Sequence, residues 1–220
     1  MALDKIEDVL VKDGFYLEPI NSVRIDRDAY LLAQKILTAR YTTYRQNPPL
    51  LLPLMRGGAR DFLNISGSFR RVLKNGSQNI DYVPIKVSRY DPSRIGSESV
   101  LKIDEADIMQ AFYALQRHSE GLIIDDVFDK GRSTEGVQDF LLPSGKPIPI
   151  VTLYRKPEEN ETSTNADYWV QDFKSRTIGG KLYKPWLVFP WEIDDHDKDT
   201  WAELFPEFAD VHPELVVPRV

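Results

Sequence analysis

Between residues 121 and 134 the chain reads GLIIDDVFDKGRST. A short, mostly apolar run meets two adjacent carboxylates, Asp125 and Asp126. A third, Asp129, follows, and then Lys130, Gly131, Arg132, Ser133 and Thr134. Carboxylates accept hydrogen bonds from hydroxyl groups or hold a hydrated Mg2+. A turn that opens a helix gathers unpaired backbone N–H groups at the positive end of the helix dipole, a setting that suits an anion. Gly131 lets the backbone close around that anion without a side chain in the way, and Ser133 and Thr134 add hydroxyl donors. A phosphate on one side and a diol on the other describe a ribose 5-phosphate.

Those residues converge only if the chain around them folds in a particular way. GLII must be a strand that ends at Asp125 and Asp126, with 130–134 forming the turn into a helix marked by Val137, Phe140 and Leu141. Upstream, Ala29, Leu32, Ala33, Ile36 and Leu37 share one helical stripe, with Asp26 expected as its N-cap. PLLLPLM reads as a buried strand ending near Leu54 and broken by Gly57 and Gly58. Phe62, Ile65, Phe69, Val72 and Leu73 give a second helix, stopped by Gly76. DYVPIKVSRY is a strand, and DPSRIGSES a polar loop expected to be mobile. Ile108, Phe112 and Leu115 mark a third helix, and PIPIVTLY a further strand. ADYWVQ and KPWLVFPW read as shorter strands of an appended lobe. Strands alternating with helices predict an α/β fold, a parallel sheet flanked by helices, which binds ligands beyond the carboxyl ends of its strands.

Composition narrows the function. The 220 residues are 42% hydrophobic and 28% charged, with a formal net charge of -6. That balance fits one globular domain and argues against a nucleic-acid partner, which calls for a basic face. No cysteine is present, so disulfides, thiolate metal sites and Cys nucleophiles are excluded together. The N-terminus, MALDKIEDVLVKDG, is too charged for a signal peptide, and no apolar run approaches the ~20 residues of a membrane span; a cytoplasmic location is expected. NET at Asn160 matches a glycosylation sequon by chance. DDHDKD at 194–199 fails as a calcium loop because Thr200 and Pro206 stand where Gly and Glu are needed; Thr200 with Glu203 reads as a capping box. His118, His196 and His212 have no ligand spacing.

LIIDDVFDKGRST also resembles the signature of the type I phosphoribosyltransferases, which use 5-phosphoribosyl 1-diphosphate (PRPP): an apolar strand, two acids, two apolar residues, Asp, Thr, Gly, any residue, then Thr or Ser. Lys130 stands where that pattern has Thr. The resemblance runs from about Asp26 to Glu192. It implies a single domain with a core over about 26–156, a base-binding hood of about 157–192 plus the N-terminal segment, and a C-terminal tail at 193–220. It implies that Asp125 and Asp126 bind the ribose and metal, that 130–134 bind the 5-phosphate, and that Asp129 manages the base's proton near purine N7.

Other stretches carry the same resemblance. Arg56, Gly57 and Gly58 match the pyrophosphate loop, in which relatives hold the preceding peptide, here Met55–Arg56, in the cis form. Ser88, Arg89 and Tyr90 fall in the lid, with Arg89 inserted into the usual Ser-Tyr pair. Lys156 matches the residue that donates to the exocyclic oxygen of a 6-oxopurine. KPWLVFPWE is similar to the base-stacking stretch of the hypoxanthine, guanine and xanthine enzymes: Trp186 covers the purine and the Leu187 backbone meets its edge. Glu192 matches an acid near metal and pyrophosphate. The implied ligands are PRPP, Mg2+, a purine base, the nucleoside monophosphate and pyrophosphate, in a homo-oligomer, dimer or tetramer. Two other readings compete: transfer to another base, and a regulator that keeps the fold, senses nucleotides and binds RNA. A receiver domain, which also opens on paired acids, carries them near its N-terminus rather than past mid-chain.

Overall fold

The computed structural model describes residues 4–6, 9–55, 66–67, 80–89 and 101–189. In chain order the elements are β1 (Asp4–Ile6), β2 (Val9–Lys12), β3 (Phe15–Pro19), α1 (Ser22–Gln46), β4 (Leu50–Pro53), β5 (Val87–Arg89), β6 (Leu101–Ile103), α2 (Glu105–Leu115), β7 (Gly121–Phe128), α3 (Arg132–Leu141), β8 (Ile150–Arg155), β9 (Gln171–Asp172), β10 (Arg176–Ile178) and β11 (Lys181–Val188). The chain divides into two compact units, Asp26–Phe173 and Met1–Ile25 with Lys174–Val220. The hood was expected to begin near 157; residues 157–173 fold with the larger unit.

The larger unit is built on the parallel sheet that the alternating pattern predicts, in the order β4-β7-β8-β9. On its outer side, Tyr82 and Ile85 bridge in parallel to Leu51 and Leu54. Val83 and Ile85 donate to Leu51 and Pro53 across that seam. Pro84, which has no N–H, therefore falls on the open side, where a proline is tolerated, and the expected strand is interrupted there. Downstream, β5 pairs antiparallel with β6.

All four residues of β4 are buried, as expected of a strand covered on both faces. Leu50, Leu52 and Leu54 join Ile123 and Ile150 in a core closed by Ile108, Ala111 and Leu115 of α2 and by Val137 and Leu141 of α3. Asp104 caps α2, its carboxylate accepting from the N–H groups of Ala106 and Asp107. Phe140, expected on the buried stripe of α3, is 60% exposed; it lies about 100° round the helix from Leu141.

Helix α1 starts earlier than expected. Asn21, not Asp26, is its cap: the side chain accepts from Arg24 N–H at 2.9 Å and the carbonyl takes the first i→i−4 bond from Ile25. The stripe then runs Ile25, Ala29, Leu32, Ala33, Ile36 and Leu37, all buried. Tyr154 at the end of β8 donates to buried Asp28 at 2.9 Å, and Lys35 donates to the Trp169 carbonyl.

The smaller unit is a five-stranded sheet, β1-β2-β3-β11-β10, in which β3 and β11 run parallel and the other neighbours antiparallel. Asp13 and Gly14 join β2 to β3 with φ of 52° and 86°, the two positive angles that a type I′ hairpin turn requires. Val11, Tyr16, Ile178 and Tyr183 form its core.

Candidate active site

Strand β7 does not stop at the paired acids. It continues to Phe128 because its register with β8 runs on, Val127 opposite Tyr154 and Phe128 opposite Arg155. Pairing with β4, however, ends at Pro53 opposite Ile124. Asp125 and Asp126 therefore lie past the carboxyl end of β4, at the rim where an α/β sheet binds its ligands. Both are half-buried. Asp125 Oδ1 accepts from Asp126 N–H at 3.1 Å and Asp126 Oδ1 from Val127 N–H at 2.8 Å. Thr152 Oγ1 donates to the Asp126 carbonyl, which ties the acidic stretch to β8.

The turn beyond it has the shape the sequence implies. Gly131 has φ +75° and caps α3 with no side-chain hydrogen bond. Glu135 N–H donates to the Gly131 carbonyl at 2.9 Å, so the helix begins here. The N–H groups of Arg132, Ser133 and Thr134 lack intrahelical acceptors at such a start. Thr134 is buried, and its hydroxyl donates to the Gly131 carbonyl at 2.8 Å. In this arrangement the Thr134 hydroxyl serves the turn itself.

Glycine at 131 is required twice over. Besides the positive φ, an added Cβ would sit 2.4 Å from Thr162 Oγ1, 2.9 Å from Phe128 Cζ and 3.0 Å from Asn160 Oδ1. The segment that crowds it follows β8. Asn160 organises that segment, its side chain accepting from Thr162 N–H and donating to the Thr164 carbonyl; the triplet read as a chance sequon is a structural turn.

Three charge contacts complete the cluster. Lys156, expected just after a strand, follows β8 with its N–H donating to the Phe128 carbonyl. Its Nζ lies 3.8 Å from Asp129 Oδ2. The candidate base-recognition lysine and the candidate proton-handling carboxylate, 27 positions apart, are thus brought together. Glu161 meets both bases of the turn: Oε1 is 2.7 Å from Lys130 Nζ, and Oε2 pairs with the Arg132 guanidinium. The Lys130 ammonium and then Arg132 hold the Glu161 carboxyl below the usual carboxylate range. Sequence reasoning missed Glu161 because no motif links it to residues about thirty positions away.

The remaining candidates are placed as follows. Trp186 lies on β11 of the smaller unit, 43% exposed and edge-on to Phe15 at 5.4 Å, so it is not a core aromatic. The Leu187 side chain is buried beside it in sequence. Ser88 and Arg89 belong to β5. Arg56, Gly57, Gly58, Tyr90, Glu192, the Met55–Arg56 peptide, the second helix apart from Ser66 and Gly67, the loop after β5 and the tail lie outside the described residues.

For Mg2+, Asp125 and Asp126 are consecutive, half-buried residues of β7. No group of three His, Asp or Glu residues able to hold a cation occurs among the described residues. What this set fits is an ion brought in on a substrate's phosphates, as Mg2+ commonly is, with a carboxylate at the edge. Among the described residues no helix is long and apolar enough to cross a membrane.

No protein-family model matches the chain, and no curated protein matches it. Solved structures do. A purine phosphoribosyltransferase from Pyrococcus horikoshii superposes with a TM-score of 0.50 at 24% identity, covering 80% of this chain and 93% of that one. A hypoxanthine phosphoribosyltransferase from Staphylococcus aureus gives 0.50 at 17%, over 69% and 76%. An HGPRT-ase from Leishmania tarentolae, in complex with GMP, gives 0.50 at 15%, over 69% and 78%. The parallel sheet, its flanking helices and these superpositions agree: the chain has the type I phosphoribosyltransferase fold.

Proposed function

We propose that the protein is a Mg2+-dependent phosphoribosyltransferase of purine salvage. It would move ribose 5-phosphate from PRPP to a 6-oxopurine (hypoxanthine, guanine or xanthine) and release pyrophosphate. The observation that carries this reading is the start of α3 at Gly131, with no side-chain cap, directly after Asp125 and Asp126 on β7 and Asp129 just past its end.

In this reading the N–H groups of 131–134 and Ser133 grip the 5-phosphate, and Asp125 and Asp126 take the ribose hydroxyls. Fixing both ends of the sugar keeps its C1 placed for attack. The C1–oxygen bond to pyrophosphate breaks, the C1–N bond to the purine forms, and the purine gives up one proton, which Asp129 accepts near N7. Lys156, 3.8 Å from Asp129, donates to the exocyclic oxygen on the neighbouring edge of the base; an adenine amine there would face a donor with a donor. Trp186 stacks on the purine and the Leu187 backbone meets its edge. Arg56, Gly57 and Gly58 receive the leaving pyrophosphate, and residues 88–90 belong to the lid that excludes water. Mg2+, bound to the diphosphate beside Asp125, Asp126 and Glu192, would neutralise charge on the leaving group.

A homo-oligomer in the cytoplasm belongs to the same proposal. The test is one panel: PRPP and Mg2+ with each free base, nucleotide formation followed by absorbance. Turnover with 6-oxopurines and not with adenine supports the reading. No consumption of any base, with salt-sensitive RNA retention on filters, would replace it by the regulator.

A further inference from the structure

Lys130 and Arg132 are the two cations of the turn, and the fold already gives them an anion. Glu161 contacts both, and its own N–H donates to the Lys130 carbonyl at 3.1 Å. The carboxylate is thereby anchored at the turn by backbone as well as side chain. Neighbouring residues hold the same strap in place. Ser163 donates through N–H and hydroxyl to Glu135 Oε1 at 3.3 and 3.2 Å, and Thr162 and Asn160 pack against Gly131. The three charged side chains remain solvent-accessible, 42%, 46% and 35% exposed for Lys130, Arg132 and Glu161. Both cations are therefore open to a second anion from solvent.

Resting on the proposed phosphate reading of this turn, we infer that Glu161 sets the affinity of the cradle for phosphate. Its carboxylate holds Lys130 and Arg132 while the cradle is empty and competes with an incoming phosphate for them. A phosphate dianion takes the two cations only as Glu161 gives them up, and a carboxylate fixed nearby repels it in the meantime. The departure at Lys130 from the family pattern then has a counterpart: the added cation comes with a resident anion that moderates it. Glu161 is an affinity-setting residue that acts through Lys130 and Arg132, not a group that touches the reacting atoms.

The experiment titrates inorganic phosphate and ribose 5-phosphate, at fixed ionic strength, into the full chain and four variants by calorimetry. Glu161→Gln should tighten both ligands about three- to ten-fold, the scale expected when one or two exposed ion pairs stop competing. Asp139→Asn, the same charge change at the far end of α3, should leave both unchanged. Lys130→Met should weaken both, and adding Glu161→Gln to it should recover less than the single variant gains, because only Arg132 remains to be freed. Unchanged or weaker binding by Glu161→Gln, with wild-type binding intact, overturns the inference and makes Glu161 a scaffold. Equal tightening by Asp139→Asn overturns it too, in favour of net charge. Absence of phosphate and ribose 5-phosphate binding in wild type and variants alike sinks the cradle reading itself, and this inference with it.

Discussion

Replacing Gly131 by alanine should damage the turn through two separable effects. The first is backbone strain: φ is +75°, and placing a residue with a Cβ in the left-handed region costs about 1–2 kcal/mol. The second is crowding. The new methyl would meet Phe128 Cζ at 2.9 Å and Thr162 Oγ1 at 2.4 Å. Phe128 is fully buried in the main core, and Thr162 is hydrogen-bonded to Asn160 and Thr164, so neither moves cheaply; overpacking of this kind costs about 1–3 kcal/mol. The sum is about 2–5 kcal/mol, which for a chain of this size lowers Tm by roughly 4–20 °C. Gly145 provides the control. Its φ is +68° and an added Cβ would meet nothing within 4 Å, so Gly145→Ala isolates the strain. Thermal and urea unfolding of both variants gives the two terms by difference. Ribose 5-phosphate binding should fall only for Gly131→Ala. Equal destabilisation by the two substitutions, with phosphate binding retained, would refute the claim that the turn closes tightly around its glycine.

Three further outcomes follow. Asp129→Asn should lose about 10²–10⁴-fold in turnover, the usual range for general acid–base help, with PRPP binding retained; steady-state kinetics with each substrate varied separates the two. Lys156→Met should raise KM for the 6-oxopurine while leaving ribose 5-phosphate binding intact, read by kinetics and calorimetry. Tyr44 is fully buried, and burial, then the neighbouring Glu120 carboxylate, raises its phenol above the usual value. A raised folded-state value means stability present below the unfolded value of about 10 and lost as pH rises above it, at about 1.4 kcal/mol per pH unit. Urea midpoints between pH 8 and 11 should therefore fall more steeply for wild type than for Tyr44→Phe.

The sheet of the larger unit was legible because buried parallel strands are short apolar runs bounded by turns, as at 50–53, 121–124 and 150–155. Helix stripes were legible for the same reason, but their ends were not. Asn21 and Asp26 are both good caps, and only the position of Ile25 in the ladder decides between them. The extension of β7 through two carboxylates went against their low strand propensity; pairing with β8 overrode it. The N-terminal hairpin did leave a signal, Asp13-Gly14 between VLVK and FYLEP, which charge at that end of the chain obscured. The phosphate turn was readable because its residues are contiguous. The Lys156–Asp129 approach and the Glu161 bridge were not derivable from pattern alone, since they arise from how the segment after β8 returns to β7.

The most direct measurement is a crystal structure with a purine ribonucleoside 5-monophosphate bound. The phosphate should lie against the backbone N–H groups of 131–134 with Ser133 beside it, the ribose hydroxyls on Asp125 and Asp126, and Asp129 facing the base. A phosphate bound elsewhere on the molecule, with that turn still occupied by Glu161 and its two basic partners, would contradict it.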